Sequence, residues 1–131
     1  MPRFVALPIT LRLAGVLGAL EAIGFGAYAL SIVGFELTSS TSGIQGSDLA
    51  PSVLIGLFFV FAALIAAVTF FLMSARVGAR TPFLLIQAFG IVIAETLYAG
   101  DGTRILAIVI GVASVAAAVL VLTPSARQAL Q

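Results

Sequence analysis

The chain contains no cysteine, no histidine, no lysine and no tryptophan. Each absence removes some chemistry. Without cysteine there is no disulfide, no thiolate nucleophile and no iron–sulfur ligation. A serine or threonine nucleophile needs a base such as histidine or lysine, and neither exists. Zinc and haem sites lean on histidine and cysteine. Two carboxylates alone can hydrolyse a glycoside, but only beside a cleft with sugar-binding polar groups. No phosphate loop or dinucleotide fingerprint is present, and Gly24-x-Gly26 has no strand before it. The inventory therefore points away from an enzyme, a bound cofactor and a metal site.

Charge is scarce as well. Only 8% of the 131 residues are charged, and the formal net charge of +1 argues for no acidic or basic partner such as nucleic acid. What fills the chain instead is apolar: 62% of residues are hydrophobic and the mean hydropathy is +1.27. Soluble domains are nearer half apolar and a quarter charged. A core of this size cannot hide the surplus, so a lipid bilayer is the expected solvent for much of the surface. A spanning helix needs roughly 20 apolar residues, and four stretches qualify: 9–34, 53–73, 82–98 and 105–122. Arg3 and Arg12 resemble the basic region of a signal peptide. The run behind them is too long for one, and no small-x-small site precedes polar sequence. The first stretch therefore reads as an uncleaved span.

Punctuation along the chain fits the same division. Pro8 suits the first turn of helix one, and Arg12 can snorkel to the headgroups. Residues 35–50, rich in Ser, Thr and Gly, read as a loop. Ser47 or Asp48 then caps helix two, which opens at Pro51. Thr81-Pro82 reads as a cap followed by a first-turn proline for helix three. Gly100-Asp101-Gly102 is a tight turn. Thr123-Pro124-Ser125 ends helix four. The expectation is one all-α transmembrane domain, a four-helix bundle running up-down-up-down. Under that threading Arg3, Arg12, Arg76, Arg80 and Arg127 share one side and only Arg104 lies on the other. The positive-inside rule then places both termini in the cytoplasm of a cell with an inner membrane.

Polar residues within the spans are the candidates for function. Glu21 lies about twelve residues into helix one, roughly 18 Å at 1.5 Å per residue, and Glu95 lies roughly 20 Å past Pro82 by the same rise. Helices one and three run in the same direction, so the two acids are expected at one depth. Two such acids suit a shared proton or a cation path, because an intramembrane acid is costly and must be offset. Glu95 is also one turn from the outer end of its helix, where Arg104 across the turn is expected to pair with it. For Glu21 the expected partners are Gln87, Ser114, a backbone carbonyl or a group on another protein. Ala14, Gly18, Ala22 and Gly26 fall four apart and form a smooth face on which another helix can pack closely. Helix two carries Phe58, Phe59, Phe61, Phe70 and Phe71, which read as lipid-facing and core-filling rings rather than a cofactor box.

Two resemblances extend this reading. The run Arg76-Val77-Gly78-Ala79-Arg80-Thr81-Pro82, then Gln87, then Pro124-Ser125-Ala126-Arg127 is similar to small four-span membrane proteins of actinobacteria. That likeness implies the fold and a bacterial inner membrane, and no activity. The short spans with one acid in the first helix, Glu21, also resemble the small multidrug resistance transporters. This chain departs from them in having no tryptophan, no glycine-rich pattern in the third helix, and a long loop after the first. The leading expectation is a non-catalytic accessory or stabilising subunit of a larger membrane complex, for instance a respiratory one, or a homo-oligomer, acting through helix contacts along Ala14, Gly18 and Ala22. The alternative is a small proton-coupled transporter or channel using Glu21.

Overall fold

A computed structural model describes residues 7–38, 51–100 and 102–131. Every regular element among them is helical: α1 (Ile9–Thr38), α2 (Pro51–Met73), α3 (Arg80–Tyr98), α4 (Arg104–Leu122) and a short α5 (Pro124–Ala129). The first four are long and apolar enough to cross a membrane, and they pack into a bundle. In hydrocarbon a backbone must satisfy its own hydrogen bonds, which a continuous helix does. The protein is therefore read as a multi-pass membrane protein. α1 packs on α2, α3 on α4, and α1 on α4, while α2 meets α3 less closely.

Three departures from the sequence expectation each have a local reason. α1 runs past Gly34 through residues 35–38, because no proline intervenes and Glu36 and Leu37 favour helix. Its 30 residues span roughly 45 Å at 1.5 Å per residue. The rest of the expected loop, including Ser47 and Asp48, lies outside the described residues. α3 begins at Arg80 with Ala79 as its N-cap, so Thr81 is not the cap. Pro82 still sits in the first turn, where backbone N–H groups have no helical partner, and the Phe83 N–H donates to the Ala79 carbonyl at 3.2 Å. At the other end, Thr123-Pro124 does not simply stop the chain. The residue before a proline is pushed to extended backbone, Thr123 adopts φ −61° and ψ 148°, and Pro124 then opens α5.

The connections are closed by hydrogen bonds. After α2, Ala75 takes φ 50°. Its N–H donates to the Leu72 carbonyl at 3.0 Å, and the Arg76 N–H donates to the Phe71 carbonyl at 3.2 Å. This is the Schellman arrangement that glycine usually supplies, here carried by alanine. The α3–α4 turn uses Gly102 at φ +85°, and Thr103 Oγ1 donates to the Leu97 carbonyl at 2.6 Å. Asp101 lies outside the described residues. α5 folds back on the start of α1, where the Thr10 and Ser125 hydroxyls meet at 3.1 Å.

The large packed cluster lies in one half of the bundle. It joins Leu11 and Ala14 of α1, Ile65 and Leu72 of α2, Phe83 of α3, Val121 of α4 and Ala126 of α5. Within the small-residue face of α1, Ala14 and Gly18 are buried, whereas Ala22 and Gly26 are half-buried. A side chain at Gly18 would collide with Thr69 Oγ1 and come within 3.1 Å of the Phe83 ring, while Gly26 has nothing within 4 Å. The lower part of that face is used inside the bundle, against α2 and α3. It is not open to a partner.

Candidate functional site

Three helices converge on Glu21. Its half-buried side chain leaves α1 toward α3 and α4. Gln87 Nε2 on α3 donates to Glu21 Oε2 at 2.9 Å. Ser114 Oγ on α4 donates to Glu21 Oε1 at 3.4 Å, a long and weak bond by ordinary hydrogen-bond geometry. Gln87 is 1% exposed and Ser114 is fully buried, so neither donor has water to fall back on. The arrangement answers the cost of a carboxyl among apolar side chains with two donors and, among the described residues, no cation.

Gly90, one turn beyond Gln87 with α3's missing side chain, permits the approach. A Cβ there would run into Ser114 Oγ. No pattern in the sequence singled this glycine out. The available signal was its place three residues after Gln87 on the same helix face. One acceptor is left over: Gln87 Oε1 is buried without a partner.

Above Glu21 the bundle is hollow. A cavity of about 690 Å³ is lined by all four long helices and has Glu21 and Ser114 in its wall. That volume falls in the range of roughly 300–1,000 Å³ common for small-molecule sites. Aromatic rings from two helices border it. Phe25 and Phe61 meet edge to face at 5.2 Å, Phe25 stacks on Phe58 at 6.2 Å, and Tyr28 meets Phe58 at 5.1 Å. Phe25 was missed from the sequence; the signal for it was its place four residues after Glu21, on the same helix face.

Glu95 is not part of this constellation. Glu21 sits level with Gln87, and Glu95 lies eight residues further along α3, roughly 12 Å by the helical rise. The expected matched depth of the two acids is thus corrected. Phe83 lies opposite Gly18, so α3 starts well above the first turns of α1. Glu95 is exposed, and among the described residues no ion pair joins it to Arg104. The Arg104 guanidinium lies instead 5.8 Å from the Tyr98 ring centre. Among the described residues no three acids gather where a metal ion would sit.

No family model matches the chain, and no curated protein and no solved structure matches it either.

Proposed function

We propose that the protein is a non-catalytic, multi-pass protein of a bacterial inner membrane that works through Glu21 as a small proton-coupled transporter or channel. One observation carries this reading: the carboxyl sits in the wall of a cavity, on donors from two other helices. A purely structural acid would be enclosed. This one borders empty space large enough for a ligand. On this reading both termini face the cytoplasm, supported by the described arginines: Arg12, Arg76, Arg80 and Arg127 gather at one end of the bundle and Arg104 lies at the other. The test is proton flux into liposomes carrying the purified chain. Glu21→Gln keeps an uncharged, similarly shaped side chain and is expected to abolish flux while the protein still assembles. Unchanged flux ends the transport reading.

The accessory-subunit reading keeps one specific support. Between α1 and α2 lies an outward groove of about 480 Å³, lined by Gly15, Ala19, Ala66 and Phe70 among others. Small residues of this kind let a partner helix approach closely. Contact with a larger complex would run there rather than along Ala14 and Gly18. Co-purification of a second membrane protein in mild detergent, lost in Ala19→Leu, supports the subunit reading. A homodimer with no other partner counts against it.

A further inference from the structure

The packed core closes the cavity at one end. Below Glu21 the packed core fills the bundle: Leu11, Leu72 and Val121 are fully buried and Phe83 is 1% exposed. Above it the cavity wall climbs α4 from Ser114 to Thr103, eleven residues or roughly 16 Å. Its upper members Tyr28 and Ser31 are exposed, and Thr103 belongs to the α3–α4 turn. Among the described residues that line the wall, Glu21 is the one carboxylic acid. Its two oxygens differ. Oε2 is held by the Gln87 amide at 2.9 Å, but Oε1 has only the Ser114 hydroxyl at 3.4 Å. Ser114 lines the cavity and Gln87 does not, so the weakly held oxygen is the one on the cavity side.

We propose that this cavity, sealed by the packed core from the end of the bundle that carries α5, is a binding site for an apolar molecule with a single uncharged hydroxyl head. The apolar body lies against Phe25, Phe58 and Phe61. The head donates its O–H to Glu21 Oε1, where it replaces or supplements the long bond from Ser114. The wall favours an uncharged head over a cation. An ion taken into an apolar site loses hydration that a single partner rarely returns, whereas a neutral hydroxyl needs only the acceptor already there. This goes beyond transport through Glu21, since a molecule can bind here whether or not anything crosses.

The chain has no native cysteine, so single cysteines report without background. Ala99→Cys and Gln128→Cys mark the two ends of the bundle, both positions being exposed. Ala113→Cys lies in the cavity wall, and Val121→Cys lies in the buried core. A small membrane-impermeant thiol reagent is applied to each face in turn, using whole cells and inverted vesicles. Ala113→Cys is expected to react from the face that labels Ala99→Cys, and at least about ten-fold faster than Val121→Cys, because access limits thiol reaction. Reaction from the Gln128→Cys face, no reaction at all, or equal rates at positions 113 and 121 would overturn the one-sided site.

Dodecan-1-ol is then expected to slow labelling of Ala113→Cys several-fold, as an occupied site must. Dodecane is expected not to do so, and the alcohol is expected to lose its effect when Glu21→Leu is added. Equal protection by dodecane, no protection by the alcohol, or protection by dodecylammonium alone overturns the hydroxyl head. These outcomes are separable from the transport reading, which stands or falls on proton flux in Glu21→Gln.

Discussion

The two halves of the bundle use the same four helices and are built differently. In the half that holds the start of α1 and the end of α4, large side chains interlock: Leu11, Ile65, Leu72, Phe83 and Val121 are all nearly or fully buried, and α5 adds Ala126 and Leu130 to the same core. In the other half the helices carry Gly24, Ala27, Gly90 and Ala113 at positions that border the cavity. Between water-soluble helices such a void would tend to collapse under the hydrophobic effect. In a bilayer no such force acts between apolar helices, so a hollow half can persist beside a filled one. Glu21 stands at the boundary, with the packed core beneath it and the cavity above. The difference teaches that the seal and the opening are set by side-chain volume, not by helix number.

The largest expected effect tests that contrast directly. Phe83→Ala removes a ring that is 1% exposed and should cost about 3–5 kcal/mol, the usual range for a buried aromatic truncation. Phe58→Ala removes a half-buried ring that borders the cavity. It leaves little new void, and should cost roughly 1 kcal/mol or less. Unfolding of both variants in mixed detergent micelles measures the pair. Equal losses would mean the hollow half is packed as tightly as the filled one.

Much of this was legible before the structure. The four apolar runs mark the spans because hydrocarbon demands long helices with satisfied backbones, and the ends α2, α3 and α4 found differ by no more than two residues. The donors Gln87 and Ser114 stand out because few polar side chains occur in the spans. What was not legible depends on axial offset between helices, which no sequence pattern encodes. Equal counts from Ile9 and Pro82 put Glu21 and Glu95 at one depth. The packing of Phe83 opposite Gly18 instead sets α3 higher and sends Glu95 outward. The same offset hides the role of Gly90, whose value lies in a hydroxyl on another helix. α5 was missed although Thr123-Pro124 repeats the Thr81-Pro82 signal, because a proline after a span reads first as a stop.

The next effect probes the boundary. Gly90→Ala drives a methyl group into Ser114 Oγ and should cost about 1–3 kcal/mol, as overpacking does. A loss below that range would show that α3 and α4 part without strain here, and that the boundary belongs to the hollow half. Gln87→Leu is milder. It removes the 2.9 Å donor to Glu21, and interhelical hydrogen bonds in membranes average about 0.6 kcal/mol with a maximum near 1.7. The unpartnered Gln87 Oε1 is removed with it, which offsets part of the loss. A net change of roughly 0.5–1 kcal/mol is expected.

The smallest effect is the most informative about Glu21. Ser114→Ala deletes a hydroxyl that reaches the carboxyl only at 3.4 Å. It also introduces alanine, the better helix former. These terms oppose one another, so stability should change by less than about 0.5 kcal/mol. The two donors to one carboxyl are thus expected to be unequal: Gln87 holds Glu21 in place, and Ser114 leaves its second oxygen available. If Ser114→Ala costs as much as Gln87→Leu, the second oxygen is firmly bound. Glu21 would then act as a clamp among three helices, its place in the cavity wall a by-product of packing. If Ser114→Ala is silent and Gln87→Leu is not, the carboxyl keeps one oxygen turned to the hollow half, as a working group would.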